Sequence, residues 1–338
     1  MNKVVLGFSG GVDSAVCARL LKQEGYEVQG VYLDNAGAEA LEAAVRGADF
    51  AGIPLEVIDV KAELEEKVCA PFCEAYLRGE TPNPCILCNP TLKFRNLLAA
   101  ADRLDAAYIA TGHYARTKAL PEGGRALFKG NPENDQSYML CRITREQLDR
   151  LLLPIGDLPK REVRRIAAEA GLPAAGKPDS MEICFIPDKD YIGWLGKRTA
   201  LPPHGKLMLH GEVIGEHAGI HCYTVGQRLP GLYREKKIYI SRIDAKTDTI
   251  HLAYWEELFT TDVTARDFSL LIDDPIGSTL EDLSVRVRHT KWENPACSAE
   301  FTGDLVRIRC EEPVRAPAAG QSAVLYLGDR VLGGGFIC

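Results

Sequence analysis

Short apolar runs alternate with amphipathic stretches through the first third of the chain, and that alternation leaves few folds open. Residues 4–8, 28–33, 55–60 and 107–111 are brief apolar runs that read as strands. Between them, residues 15–24 place Val16, Leu20 and Leu21 at helical spacing, and residues 38–47 repeat the pattern. Strands separated by amphipathic helices predict βαβ units, and right-handed crossovers put helices on both faces of a parallel, doubly wound sheet. Residues 142–171 read as helical, interrupted at Pro154 and Pro159. The texture changes near Leu201, Pro202, Pro203 and Gly205. Beyond it, residues 237–243, 249–253, 284–288, 305–310 and 323–327 are short, β-branched or alternating, and separated by Gly, Pro and Asp clusters. That predicts antiparallel structure, a small central module followed by a C-terminal β-barrel. The expected fold class is α/β, with domains at 1–198, 199–256 and 257–338.

Composition narrows the function. Of 338 residues, 46% are hydrophobic and 26% charged, which excludes a wholly disordered chain. No apolar run approaches the ~20 residues of a membrane helix. The first residues run straight into a strand-like stretch without signal-peptide architecture, so a cytoplasmic protein without membrane association is expected. The net charge of −7 offers no bulk attraction for nucleic acid. Lys160, Arg161, Arg164 and Arg165 form one local basic cluster, and Arg286, Arg288, His289 and Lys291 another; each reads equally as a solvated face or a binding patch. Eleven cysteines, an odd number without a secretory signal, argue against a disulfide framework and for buried packing with some chemistry.

Gly7-Phe8-Ser9-Gly10-Gly11-Val12-Asp13-Ser14 lies between the first strand and the first helix. Small residues let backbone N–H groups approach an anion, and a helix N-terminus adds positive partial charge. The pattern is neither the Walker loop nor the dinucleotide fingerprint. It resembles the PP-loop of ATP pyrophosphatases, which split ATP into AMP and pyrophosphate. The resemblance implies that residues Gly7, Phe8, Ser9, Gly10, Gly11, Val12, Asp13 and Ser14 bind ATP, with Asp13 helping to hold Mg2+. Leu33 and Gly112, at the ends of later strands, are placed to meet the adenosine.

Thr81-Pro82-Asn83-Pro84-Cys85-Ile86-Leu87-Cys88 carries a Cys-x-x-Cys behind two prolines, which argue for a rigid loop. A third cysteine lies in Asp179-Ser180-Met181-Glu182-Ile183-Cys184-Phe185-Ile186. Around these stand Ala110-Thr111-Gly112-His113-Tyr114, Asn134-Asp135-Gln136-Ser137-Tyr138, Thr224-Val225-Gly226-Gln227-Arg228, Gly320-Gln321-Ser322 and Gly333-Gly334-Gly335. Taken together and in order, these motifs resemble the tRNA-specific 2-thiouridylases over essentially the whole chain.

The resemblance implies a PP-loop catalytic domain (adenine nucleotide alpha hydrolase-like), a small central domain and a C-terminal barrel. It also implies ATP-dependent activation of the wobble uridine C2 carbonyl of tRNA, followed by displacement of AMP by sulfur. Cys184 is then the residue that receives sulfur as a persulfide, and Cys88 its partner, leaving a Cys88–Cys184 disulfide. Asn83, Pro84 and Cys85 frame the target base, which must leave the anticodon stack. His113, Asn134, Asp135, Gln136, Arg288, His289 and Gln321 are implied tRNA contacts. A sulfur donor such as a cysteine desulfurase or sulfur-relay protein is the further partner.

Members of that family usually hold Asp at the position of Cys85. The exchange makes Cys85, Cys88 and Cys184 a three-thiolate set, suited to a 4Fe–4S cluster with one open iron. Zinc wants a fourth ligand in structural sites, and a metal-free persulfide route stays open beside the cluster. Two stretches are shorter than in the family, one after Asn35 and one after Arg228. Cys69 and Cys73 are spaced i, i+4 around Pro71 and read as packing or a second redox pair. Cys17, Cys141, Cys222, Cys297, Cys310 and Cys338 read as packing. Another PP-loop tRNA thiolase, an amide ligase and a non-catalytic tRNA-binding or sulfur-carrier protein are the rival readings.

Overall fold

The computed structural model describes residues 2–35, 37–121, 123–172, 176, 183–233, 236–272, 279–290 and 292–338. Asp179, Ser180, Met181 and Glu182 of the Cys184 motif, and Lys291 of the second basic cluster, lie outside the described residues. The chain divides into two compact units, residues 1–67, 85–185 and 329–332 in the first and residues 68–84, 186–328 and 333–338 in the second.

The first unit is built on β1 (Lys3–Gly7), α1 (Val12–Gln23), β2 (Glu27–Asp34), α2 (Ala38–Ala51) and β3 (Leu55–Asp59). Then come α3 (Lys61–Leu64), α4 (Ala70–Leu77, in the second unit), α5 (Pro84–Cys88), α6 (Phe94–Arg103) and β4 (Tyr108–Ala110). The series closes with β5 (Ala115–Ala119), β6 (Arg125–Lys129), α7 (Arg145–Asp149), β7 (Leu151–Leu152) and α8 (Lys160–Glu169). Five parallel strands lie in the order β3-β2-β1-β4-β7. Val4, Leu6 and Phe8 pack with α1 and with Val163 and Ala167 of α8, while Gly7 lies against Leu97 of α6. Helices thus cover both faces, as the alternation predicts. The order reverses between β1 and β4, and in such sheets ligands bind beyond the carboxyl ends of the strands at that reversal.

Two elements escape the sequence reading. Residues 142–171 are not continuously helical. Thr144 and Gln147 form a capping box for α7, but the helix stops at Asp149, and Leu151 and Leu152 join the sheet opposite Ile109 and Ala110. The hairpin β5–β6 turns at Gly123 and Gly124, both at positive φ.

In the second unit, α9 (Tyr191–Gly196) precedes β8 (Gly205–Leu209), β9 (Glu212–His217), β10 (Arg228–Tyr233), β11 (Lys237–Asp244) and β12 (Thr249–Tyr254). These five strands lie in the order β10-β11-β12-β8-β9 around a core of Leu207, Ile220, Ile238, Ile240 and Ile250. Next follow β13 (Phe259–Leu270), β14 (Thr279–Arg286), β15 (Asn294–Thr302), β16 (Leu305–Arg315), β17 (Ser322–Leu327) and β18 (Arg330–Ile337). They run β13-β16-β15-β14-β17-β18, and β18 pairs back onto β13, closing a six-stranded barrel. Among the described residues no helix is long and apolar enough to cross a membrane.

The cysteine reading needs two corrections. Cys297 and Cys310 are not packing thiols but a disulfide, joined because the β15–β16 register places them directly opposite each other. Cys338 is exposed and packs nothing into the core, and Cys222 is only half-buried. Cys17, Cys69, Cys73 and Cys141 are buried as expected. The bridge closes a sequence separation of 13 residues, so its reduction, or the pair Cys297→Ala and Cys310→Ala, is expected to cost about 2–3 kcal/mol. Chemical denaturation with and without reductant measures this, and coincident transitions would contradict it.

Candidate active site

The loop after β1 is shaped by close approach. Gly10 holds φ +73°, and a Cβ there would come within 2.7 Å of the Ala44 backbone in α2. Gly11 begins α1 without a side-chain cap, so the helix keeps first-turn N–H groups for an anion. The Ser9 and Ser14 hydroxyls are 3.3 Å apart, the Gly11 N–H donates to Ser9 Oγ, and Ser14 Oγ donates to Gly11 O. Phe8 and Val12 are buried and root the loop in the core.

Asp13 is already engaged. Lys160 Nζ lies 2.8 Å from each of its carboxylate oxygens, and the Tyr114 hydroxyl donates to Oδ1 at 2.6 Å. The ammonium also stands over the Tyr114 ring, 5.4 Å from its centroid. Lys160 is therefore no solvated residue of a basic face. Gly112 follows β4 and approaches Asp13 so closely that a Cβ would meet the Asp13 Cβ at 3.0 Å.

The thiols converge on the same edge of the sheet. Pro84 starts α5 rather than a loop, at a helix start where its missing N–H is tolerated. Cys85 and Cys88 therefore sit at i, i+3 on one helical face. A π-helical segment, Asn89–Lys93, follows directly. The Lys93 ammonium donates to Asn89 Oδ1 at 2.9 Å and lies 3.4 Å from His113 Nε2, beyond β4. Cys184 receives the Asn35 amide at 3.7 Å, at the end of β2.

Burial pushes the Cys88 thiol up to about 11; the neighbouring Cys184 and Cys85 raise it further, and Lys93 opposes them. Desolvation likewise raises Cys184, with Cys85 adding to it and Lys93 opposing. Cys88 and Cys184 are thus electrostatic neighbours of Cys85 and of the Lys93 ammonium. Burial and Lys93 hold the His113 imidazole well below its usual range, so the ring is neutral. Among the described residues, no three His, Cys, Asp or Glu side chains are drawn together as a closed metal cage. Cys85 and Cys184 are exposed and Cys88 is half-buried, and the three are not gathered into a site that could hold a metal ion.

Known families account for the three regions. Residues 2–188 match the tRNA methyl transferase HUP domain, residues 204–254 the tRNA methyl transferase PRC-barrel domain, and residues 260–337 the aminomethyltransferase β-barrel domain. The tRNA-specific 2-thiouridylase MnmA of Syntrophotalea carbinolica is 39% identical, across 99% of this chain and 98% of that protein. The chain belongs to the tRNA-specific 2-thiouridylase family. The Clostridioides difficile member is 38% identical, over 99% of this chain and 98% of its own length. Among solved structures, NMN synthetase from Francisella tularensis is similar over 52% of this chain and 66% of that one, with 18% identity and a TM-score of 0.36.

The residues that the family resemblance implies as tRNA contacts divide between the units. His113, Asn134, Asp135 and Gln136 belong to the first; Asn83, Pro84, Arg288, His289 and Gln321 belong to the second. Several brace the protein itself. Asp135 accepts from the Gly130 and Ser137 N–H groups at 2.7 and 3.0 Å, and Gln136 Oε1 accepts from the Tyr114 N–H at 3.0 Å. Arg288 donates to the Val225 and Ala316 carbonyls, both at 2.7 Å. His289 is exposed, and the buried Asn134 amide has no hydrogen-bond partner among the described residues. Leu33 lies one residue before the end of β2, paired with Ile58. Sequence reasoning did not single out Lys93, and it quoted Tyr114 and Asn35 without giving either a role at the site. Only the phase of Lys93, one residue before the apolar face of α6 begins, could have drawn attention to it.

Proposed function

We propose that the chain is a tRNA-uridine 2-sulfurtransferase that 2-thiolates the wobble uridine of tRNA at the expense of ATP. The observation that carries this reading is the convergence at the carboxyl edge of one sheet. β1 delivers the nucleotide loop, β2 delivers Asn35 to Cys184, and β4 delivers Gly112 and His113 to the loop and to Lys93. In this reading residues 1–198 bind nucleotide and carry the chemistry, while 199–256 and 257–338 serve tRNA.

The uridine C2 oxygen attacks the α-phosphorus of ATP; pyrophosphate leaves and the base becomes an adenylate. Lys160 transfers from Asp13 to the phosphates; the Asp13 carboxylate would then be the group to hold Mg2+, which would supply charge neutralisation. A persulfide on Cys184, loaded by a sulfur donor such as a cysteine desulfurase or relay protein, attacks C2 with its terminal sulfur. The Cys88 thiolate attacks the Cys184 Sγ, the persulfide S–S bond breaks, and AMP departs with the C2 oxygen. A Cys88–Cys184 disulfide remains, and an external dithiol returns two electrons and two protons to reset it. Lys93 favours the thiolate forms of both cysteines, and the neutral His113 beside it fixes its position.

Cys85 favours a second delivery route. A 4Fe–4S cluster held by Cys85, Cys88 and Cys184 would supply an open iron able to bind hydrosulfide. Nucleoside analysis of tRNA from a deletion strain tests the function: wobble 2-thiouridine disappears, whereas an unchanged level overturns the reading. Iron and sulfide assays on anaerobically purified protein test the route, and full activity of iron-free protein excludes the cluster.

A further inference from the structure

One rim of the C-terminal barrel gathers exposed aromatic rings that the nucleotide and sulfur chemistry leaves unused. Strand register defines this rim. β13 begins at Phe259, which pairs with Arg315 at the end of β16. β15 begins at Asn294, whose amide donates to the Pro313 carbonyl of β16 at 3.4 Å. Asn294 also pairs with Val285, so the turn from β14 to β15 lies at the same end. The short helical turn Trp255–Leu258 leads straight into β13. Trp255, Phe259 and Trp292 are thereby placed on one rim, where they are 42%, 39% and 85% exposed.

The rim is braced from within the same unit. The Arg315 guanidinium lies over the Trp255 ring, 4.2 Å from its centroid, and donates to the Gly226 carbonyl at 3.1 Å. Tyr239 and Phe259 make edge contacts with the same indole, at centroid separations of 5.4 and 5.7 Å. Arg288, on the way to Trp292, is fixed to the Val225 and Ala316 carbonyls. Large rings left in water forgo burial energy, and several of them in one place mark a binding surface.

The charges around the rings indicate what binds. Glu256 pairs with Lys236, Glu257 with His210 and Glu293 with Arg286. Glu311 and Glu312 lie exposed where β16 bulges just before Arg315. Such a rim is poorly suited to gripping a run of phosphates, but it offers ring faces, and every nucleobase has a face to match. Trp292 stands between polar residues, Thr290 and Glu293, which suits one ring meeting one base better than it suits a continuous apolar protein interface. We infer that this rim is a stacking surface for unpaired bases of the tRNA, with Trp292 and Trp255 its principal rings. The inference rests on the proposed thiolation, in which the barrel serves tRNA, and it names the part of the RNA that the rim meets. Loops offer splayed bases to aromatic side chains, whereas a duplex keeps its bases stacked inside.

The test uses the full chain and a tRNA transcript, with affinity measured by filter binding over about 50–200 mM salt. Trp292→Ala, at a position too exposed to disturb the fold, should weaken tRNA binding by about 5–100-fold, and Trp255→Leu by a similar factor. Trp292→Phe keeps a ring face and should stay within about threefold of the unmodified protein. The salt dependence should keep its slope, because no phosphate contact is lost. An RNA stem-loop with unpaired bases should show the same loss with Trp292→Ala, and a blunt RNA duplex of equal length none. Unchanged tRNA affinity in Trp292→Ala would overturn the inference and leave the rim to a protein partner. A shallower salt slope, or an equal loss on the duplex, would make Trp292 part of a backbone contact and overturn it too. Absence of 2-thiouridine formation by the unmodified protein would instead be the failure of the underlying reading, and it is measured on the same preparation.

Discussion

Cys88→Ser and Cys184→Ser each lose tRNA thiolation by about 10³-fold or more, while tRNA-dependent exchange of pyrophosphate into ATP persists. The split follows from the arrangement. The nucleotide loop bonds within itself and to Lys160 and Tyr114, and none of those contacts involves either cysteine. Adenylation therefore survives when sulfur delivery fails. Serine conserves the shape but has no accessible persulfide chemistry. Both variants should also fail equally, because the cysteines exchange one sulfur–sulfur bond, and the double variant should be no worse than either single one.

The acidity of Cys88 adds a second signature. Its thiol is pushed up to about 11 by burial, so in metal-free protein its alkylation should accelerate about tenfold per pH unit through the alkaline range. The sign is that of a group whose charged form is disfavoured: the thiolate fraction grows only as pH climbs toward that value. A rate that levels off near pH 8 would contradict this account, as would loss of pyrophosphate exchange in the cysteine variants.

Gly10→Ala is the change expected to be most damaging to the nucleotide step. The glycine adopts φ +73°, costly for a residue with a side chain, and the added carbon would lie 2.7 Å from both Ala44 N and Cα and 2.8 Å from Ala43 O. These obstacles are backbone atoms of α2, not the ends of flexible side chains. The loop must therefore lift from α2, carrying the Gly11 N–H and α1 N-terminus out of register with a phosphate. ATP affinity should fall by about 10²-fold or more, since aligned donors of this kind supply several kcal/mol each to phosphoryl chemistry. Stability should fall by about 1–3 kcal/mol. Isothermal titration calorimetry reads the first and thermal melting the second. Near-normal ATP binding by Gly10→Ala would show that the loop does not hold the nucleotide.

Local pattern made much of the first unit legible. The strands β1 to β4 and helices α1 and α2 follow from apolar spacing, and the loop between β1 and α1 from its small residues. Leu151 and Leu152 were not legible as a strand because two residues have no period; only pairing with Ile109 and Ala110 makes them one. Cys297 and Cys310 looked unrelated because strand register, not spacing, sets them opposite. The cysteines of the site could be picked out from their motifs, but their cation could not. Lys93 acquires its role from partners on three segments, Asn89, His113 and the thiols. Likewise Lys160 and Asp13 are 147 positions apart, and nothing near either residue announces the other.

That last pair has an electrical consequence. With both Asp13 oxygens held by Lys160, the carboxylate of the loop is already paired with an internal cation. In the proposed reaction, a lysine that turned to phosphate would leave that carboxylate without its partner. If Asp13 then takes a divalent cation, ATP and the cation each strengthen the other's binding by the same factor, and that coupling runs through one side-chain pair.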